Sequence, residues 1–364
     1  MPTGVSPLYY PEQPKPPFNL ELDDSYFLIK LHDTQAFFQT GWLNKPAFLT
    51  LSSSVESSFK PNFHTQSLHK ISTIQKNVPC RLGIGTNLTN WLPARAGDSL
   101  LINIKYTVLQ DKPIRNLIAQ MEQIDLVAKL SLRPDWAVAL KVSNVVGKLL
   151  SYLVQEGSQH EIFPLTMDLN VADLKTGYYV VIGSHNDELW ISPKFMQIDH
   201  SGCLLDKSEG ASLSCLSYAV IKVLGMPRLK QQMFSDEPWF ELLQTVKENI
   251  LDTPYNVNDK EERRRLLAEW YFTLKQVRGI ARKQQGFLQS EIQEIIAAAQ
   301  MEVDKKLQPQ TIAEASGLNE ELPEDLQDIL GVATEKELQG LARDYQTTLE
   351  LSQQLLEEYN LLGD

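Results

Sequence analysis

The chain has 364 residues, of which 43% are hydrophobic and 22% are charged, and its formal net charge is −12. This composition excludes a collagen, a fully disordered chain and a polytopic membrane protein, and the length suggests two domains.

The negative charge is concentrated at the C-terminus. Residues 311–364 hold 13 of the 46 acids but only Lys336 and Arg343 of the 34 bases. The rest of the chain is therefore close to neutral. An acidic chain is a poor duplex-DNA binder because phosphate neutralisation requires a positive face, so we do not expect a nucleic-acid partner.

The cysteines and the N-terminus indicate a reducing compartment. Cys80, Cys203 and Cys215 are odd in number and widely spaced, which argues against a disulfide scaffold. The residues after Met1 lack the basic stretch and the following apolar stretch that are typical of a signal peptide. No apolar run reaches the roughly 18 residues of a membrane-spanning helix. We predict a cytoplasmic protein.

Residues 1–19 are rich in proline and read as an extended arm, either solvated or laid on the following domain. PxxP ligand motifs are the alternative. The prolines are Pro2, Pro7, Pro11, Pro14, Pro16 and Pro17.

Short strands dominate residues 20–226. Their turn spacing and alternation favour an α+β chain whose N-terminal domain is a β-sandwich or barrel-like, not a doubly wound sheet. The apolar run 177–182 predicts a central, buried strand. Predicted strands are 26–31, 47–51, 99–108, 166–171, 177–182 and 213–224, with a hairpin over 195–205.

A helical pair interrupts these strands at 113–155. Its second helix, from about Pro134, has a wide apolar face and a narrow polar stripe with lysines. That pattern suits a helix buried against a sheet, and it also suits contact with a membrane surface. The membrane-contact candidates are Trp136, Lys141, Val145, Lys148 and Leu149.

Residues 237–364 read as an all-helical domain, beginning at Pro238. The segment 259–285 carries eight bases and four acids, interleaved with aromatic residues. Its apolar stripe predicts a solvated amphipathic helix, with an acidic-partner face as the alternative. Predicted helices are 238–251, 259–285, 287–307, 323–330 and 334–360.

The last of these helices repeats apolar residues every three or four positions, which is typical of packing on its own domain or in a partner's groove. The partner-binding candidates are Leu338, Leu341, Tyr345, Leu355 and Tyr359.

Catalytic and metal motifs are weak throughout. The glycines of 81–86 lack the rest of a phosphate-binding loop and predict a β-bulge or turn. His64 and His69 are spaced unlike zinc ligands and are expected to be surface residues. Cys215 lies where a buried structural thiol is usual.

Two further groups of residues were considered as metal sites. His200 and Cys203 lie close in sequence, but no second pair of ligands completes a four-ligand site. Four acids flank the strands and could bind calcium, but their spacing is explained equally well by turns. We therefore assign no catalytic residue, metal or cofactor, and leave a small-molecule ligand unknown. The calcium set considered is Asp168, Asp173, Asp187 and Glu188.

These features together predict a non-catalytic interaction, adaptor or assembly protein that docks another protein through its acidic helical C-terminus. One alternative is a membrane-associating or membrane-inserting protein that uses residues 113–155. The other is a hydrolase whose active-site residues are dispersed in the sequence.

Overall fold

The computed structural model is a mixed α+β protein built mostly of antiparallel sheet, with a few helices. It divides into two compact units, here named the strand unit (1–225) and the helical unit (226–364). The predicted domains, with limits at 19, 226 and 237, stay a prediction. The structure describes residues 8–11, 18–37, 47–58, 64–74, 78–109, 160–183, 196–199, 203–206, 216–229, 231–254, 260–284, 286–307, 350–352 and 354–355.

The strand unit contains twelve described strands, and every predicted strand that lies in the described ranges is present. The strands are β1 Leu8–Tyr10, β2 Tyr26–Ala36, β3 Ala47–Ser57, β4 His64–Ile74, β5 Cys80–Asn87, β6 Leu92–Pro93, β7 Ser99–Leu109, β8 His160–Asn170, β9 Gly177–Gly183, β10 Met196–Ile198, β11 Leu204–Asp206 and β12 Ser217–Met226.

These strands form two larger sheets and one hairpin. The first sheet has the order β1-β9-β12-β2-β5, with β6 also paired to β2, and the second has the order β4-β3-β7-β8. Both are open in the described part, so the barrel-like alternative is wrong. The predicted hairpin is confirmed as β10 paired with β11, and β9 is an interior strand as expected.

One buried cluster draws side chains from both large sheets. Strand β7 shows how the sequence produces it, because alternate residues from Leu100 to Val108 are buried. Tyr106, on this strand, donates its hydroxyl to the carbonyl of Tyr218 on β12 at 2.8 Å. A second cluster covers the opposite face of the first sheet with residues of β10 and β11, including Met196 and Leu204.

The glycine-containing segment of β5 is a β-bulge, as predicted. The three residues of β2 from Leu31 to Asp33 lie opposite the four residues of β5 from Thr86 back to Gly83. Gly85 has a φ of 63°, which glycine adopts without strain.

The N-terminal arm lies on the strand unit at residues 8–10, where β1 pairs with β9. The Tyr9 hydroxyl donates to the carbonyl of Thr176 at 2.9 Å. Gly177, at a φ of 133°, leaves only 2.9 Å between a would-be Cβ and the Tyr10 carbonyl oxygen. Any other residue there would displace the arm.

The helical unit has three described helices close to their predicted positions: α1 Pro238–Asp252, α2 Lys260–Ala281 and α3 Gln289–Leu307. The predicted apolar stripe of α2 is buried at Leu266, Trp270, Leu274, Val277 and Ala281.

Helix α3 is buried around most of its circumference and carries two buried carboxylates. Glu294 accepts two hydrogen bonds from the guanidinium of Arg228, at 2.8 and 2.9 Å. Glu291 accepts from the backbone N–H of Leu229 at 2.6 Å. The backbone N–H of Arg228 donates to Ser352 Oγ at 3.0 Å, so three segments of the helical unit meet at this residue.

Among the described helices, none is both long enough and apolar enough to cross a bilayer. The predicted helical pair 113–155 and the predicted helix 323–330 lie outside the described residues.

Candidate functional site

Five polar side chains on β1, β9, β12, β2 and β5 lie on the face of the first sheet that is opposite the shared buried cluster. In the strand register Lys30 is opposite Asn87, and Lys222 is opposite Tyr178, which is opposite Tyr10. Directly opposed residues of antiparallel strands point to the same face. We call these five residues the cationic row.

Aromatic contacts organise the centre of the cationic row. Lys222 Nζ lies 5.3 Å from the ring centroid of Tyr178, a distance at which a cation is attracted to the ring. The imidazole of His32 lies 5.5 Å from the same ring at an interplanar angle of 69°. Tyr178 itself is buried, whereas Lys222 and His32 are half-buried.

Burial and like charge act together at Lys30. Burial lowers the pKa of the Lys30 ammonium, and the neighbouring charge of Lys222 lowers it further. Burial also raises the pKa of the Tyr10 phenol, so that hydroxyl remains protonated and can donate. The cationic row therefore presents ammonium, amide and phenol donors, and none of its members is an acid.

Beside the row, a buried carboxylate joins three strands. Asp33 on β2 accepts from Arg81 on β5 at 2.9 and 3.1 Å and from the Tyr218 hydroxyl on β12 at 3.3 Å. The pKa of the Tyr218 phenol is raised, first by burial and then by the charge of Asp33, so the hydroxyl keeps its proton and is a poor acid. The hydrogen bonds of Asp33 therefore join β2 to β5 and β12, and we assign them a structural role.

Replacing Arg81 by Met should lower the free energy of unfolding by about 2 kcal/mol, because Asp33 would keep a buried, poorly compensated charge. The effect is at the low end because the Arg81 side chain is 40% exposed. Urea unfolding measures it. In the double variant with Asp33→Asn part of the loss should return, and an additive double variant would refute this coupling.

His69 is not the surface histidine that the sequence predicts. It is the extra residue of a bulge in β4, since Leu51 and Ser52 are opposite Lys70 and Leu68. Its Nε2 lies 2.7 Å from Ser53 Oγ, and both side chains are buried.

A hydrogen-bonded serine and histidine are also the first two members of an acyl-transfer triad. Here Ser53 is 5% exposed and His69 is 8% exposed, which leaves little of either for a substrate to touch. Burial lowers the pKa of His69 to about 4. The pair is best explained as a satisfied polar contact inside a sheet.

In the helical unit, the exposed face of α2 is the most prominent surface feature. Phe272 is 63% exposed, the highest value among the large hydrophobic residues that the structure describes. Exposed positions recur on this face at helical spacing: Glu261, Arg264, Arg265, Ala268, Glu269, Phe272, Lys275, Gln276 and Gly279. We call it the Phe272 face.

Of the partner-binding candidates, only Leu355 lies in the described residues, where it is 2% exposed. Its neighbour in the same register, Ser352, is buried as well. At these two positions the register is buried, and Ser352 Oγ accepts a hydrogen bond from the backbone N–H of Arg228 in the same unit. Outside the described residues are Leu338, Leu341, Tyr345 and Tyr359.

The membrane-contact candidates all lie outside the described residues: Trp136, Lys141, Val145, Lys148 and Leu149. The same holds for His200 and Cys215, and for Asp187 and Glu188 of the calcium set.

Metal-ligating residues do not converge in the part of the chain that the structure describes. There, no three side chains of His, Cys, Asp or Glu are grouped closely enough to hold an ion. Asp168 and Asp173 are exposed, and Asp173 accepts a hydrogen bond from Asn170 at 3.1 Å, as turn chemistry predicts.

Sequence reasoning missed the cationic row. Its signal is a single lysine inside an otherwise apolar strand, at Lys30 in 26–31 and at Lys222 in 217–226. Each lysine alone reads as a solvated position. That both lysines lie on one face of the same sheet depends on β2 and β12 being neighbours, and local sequence does not encode that pairing.

The sequence matches no protein-family model, and a search of the curated proteins finds no match either.

Proposed function

We propose that the protein is a non-catalytic, cytoplasmic interaction or assembly component that docks a partner protein through its helical unit. The observation that carries this proposal is the Phe272 face. A phenylalanine that keeps 63% of its surface in water costs free energy that a partner's pocket would recover.

The charges around Phe272 define the kind of partner. Arg264, Arg265 and Lys275 lie on the face, and Arg282 and Lys283 continue it just beyond the helix. Glu261 and Glu269 on the same face oppose them, and the Glu262 carboxylate lies 3.8 Å from the Arg265 guanidinium. An exposed aromatic side chain, with a lysine one turn away and arginines farther along the same face, has the composition of an interface hot spot. A partner with an apolar pocket bordered by acids fits this surface.

Small residues on the same face support close approach. Ala268 lies one turn before Phe272, and a Cβ added at Gly279 would meet no other atom within 4 Å. Glycine inside an exposed helix costs about 1 kcal/mol relative to alanine, so its presence there favours a role other than helix stability.

We retain the acidic segment 311–364 as a further docking element, because its last predicted helix repeats apolar residues every three or four positions. Ser352 and Leu355 of this segment are buried, which affects the choice of experiment. Deleting 311–364 would remove packing from the helical unit itself, so surface substitutions are the better probes. The membrane and hydrolase alternatives stay predictions.

We also propose that the strand unit is a two-sheet sandwich and that residues 237–364 form a separate domain. The cluster shared by both sheets and the hydrogen bond from Tyr106 to the carbonyl of Tyr218 support the first point. The hydrogen bonds that join Arg228 to Glu294 and to Ser352 within the helical unit support the second.

Replacing Phe272 by Glu should weaken partner binding at least about tenfold, because it removes the anchor and repels acids. Partners of the tagged full chain are identified by cross-linking in source cells and mass spectrometry. Affinity is then measured by calorimetry with the purified partner. Met233→Glu, at a position 41% exposed in the same unit, is the matched control and should bind as the wild type does.

Unchanged thermal melting of both variants would show that the substitutions leave the fold intact. Equal affinity of Phe272→Glu and wild type, or the absence of any reproducibly enriched protein, would overturn the proposal.

A further inference from the structure

The N-terminal arm is held at the edge of the first sheet by contacts that fit its backbone and one tyrosine. The Tyr9 ring lies 5.2 Å from the Tyr179 ring at an interplanar angle of 51°, and its hydroxyl donates to the carbonyl of Thr176. At Gly177 the arm passes so closely that a Cβ would lie 2.9 Å from the Tyr10 carbonyl oxygen. We call Thr176, Gly177 and Tyr179 the arm seat.

The arm covers a strand edge that would otherwise pair with another chain. Without β1, the edge strand of the first sheet on this side would be β9, whose residues 177–182 are an apolar run. Exposed apolar edges are templates for strand pairing between molecules. The described arm covers this edge with three residues, opposite residues 178–180, which is about half the usual length of a strand. So short a pairing does not by itself decide which copy's arm occupies the seat.

The chain returns to the arm seat after a connector of seven residues, 11–17. The Phe18 carbonyl accepts a hydrogen bond from Thr176 Oγ1 at 2.8 Å. The Tyr10 carbonyl, at the other end of the connector, lies at Gly177, the next residue along the chain. Both ends of the connector therefore meet at two adjacent residues when one copy supplies both the arm and the seat.

The composition of the connector opposes this meeting of its ends. Proline fixes φ near about −65° and keeps the residue before it out of the helical region, which favours the extended polyproline II conformation. In that conformation the eight steps from Tyr10 to Phe18 would span about 25 Å. A short hinge that is strained when closed favours exchange of the segment between identical copies. The connector prolines are Pro11, Pro14, Pro16 and Pro17.

We propose that two copies of the chain exchange their N-terminal arms, so that residues 8–10 of each copy pair with β9 of the other. The arm of a second copy fits the arm seat because it has the same sequence and makes the same hydrogen bond and ring contact. The connector then runs in its extended form from one copy to the other. The product is a dimer with two-fold symmetry. This interface belongs to the strand unit and does not depend on the Phe272 face.

Sedimentation velocity of the full chain over a range of concentrations is the first test. We expect a dimer whose fraction rises with concentration. Phe272→Glu should dimerise as the wild type does, which separates this interface from the one in the proposed function. A chain that stays monomeric at every soluble concentration, or a dimer that Phe272→Glu abolishes, would overturn the arm exchange, and neither result removes the partner docking proposed above.

Substitutions in the connector test its role while leaving the contacts of β1 intact. The double variant Pro14→Gly, Pro16→Gly should raise the dissociation constant of the dimer at least about tenfold, because glycines let the connector close within one copy. Pro2→Gly, Pro7→Gly is the matched control, since both prolines precede β1, and it should dimerise as the wild type does. Equal dissociation constants of the two double variants would contradict the proposal.

Mixing two defective variants tests the exchange itself. Gly177→Val blocks the seat, and Tyr9→Ala, Tyr10→Ala weakens the arm, so each variant alone should be monomeric. A mixture should form a heterodimer in which the intact arm enters the intact seat, detected by native mass spectrometry with one variant tagged. Dimers of either variant alone, or no heterodimer, would refute the exchange. Because Gly177 has a φ of 133°, circular dichroism must first show that Gly177→Val folds, and the connector variants decide the question if it does not.

Discussion

Replacing Arg228 by Met is expected to lower the free energy of unfolding of the helical unit by about 4 kcal/mol. The variant would leave the Glu294 carboxylate buried without its two charge-assisted hydrogen bonds. Both side chains are less than 10% exposed, so water cannot replace the lost partner. The carbonyl of Pro227 would lose a hydrogen bond of 2.8 Å as well.

Urea unfolding followed by tryptophan fluorescence measures this loss, since Trp239 and Trp270 are buried in the same unit. Adding Glu294→Leu to Arg228→Met removes the second charge and should restore part of the stability. Arg264→Met, at an exposed position of α2, is the control and should change little. A loss in Arg228→Met no larger than in this control would show that the buried pair contributes nothing.

Acidification from about pH 7 to about pH 4 is expected to cost the chain about 3 kcal/mol through His69 alone. The pKa of His69 is lowered by burial from 6.5 to about 4. Between these values the unfolded chain binds the proton and the folded chain does not. Stability is therefore intact above the unfolded pKa and falls as the pH drops toward 4.

His69→Gln isolates this contribution from the titration of the carboxylates. Glutamine can still bond to Ser53 but never acquires charge, so the variant should lose about 3 kcal/mol less than wild type over the same pH range. Circular dichroism in urea at each pH gives the comparison. Ser53→Ala keeps the histidine and should keep its pH dependence. Equal losses in wild type and His69→Gln would refute the assignment.

Local pattern predicted most of the described secondary structure. The alternation from Leu100 to Val108 identified β7, and the three-to-four spacing from Leu266 to Ala281 identified the buried stripe of α2. Both signals are short-range, because the geometry of one strand or one helix decides which side chains share a face. The glycines of β5 likewise predicted their own bulge.

Pairings between distant segments escaped prediction. His69 was expected at the surface because the surrounding segment is rich in Ser, Thr, Pro and Asn, yet the bulge in β4 brings its imidazole to Ser53. Asp33 and Tyr218 meet across 185 residues of sequence. No local property of either residue encodes that contact.

The sequence by itself determined the mixed α+β class, the positions of most of the described strands and of the helices α1 to α3, and the acidic character of the C-terminal segment, since each of these follows from composition and short-range periodicity. Only the tertiary structure decided that the strands of Lys30 and Lys222 are neighbours, that Arg228 is buried against Glu294, and that Phe272 stays in water. These contacts depend on which strands become neighbours and which helix face packs inside its unit. Both are decided by the total apolar surface that the whole unit buries, which no short segment of the sequence determines.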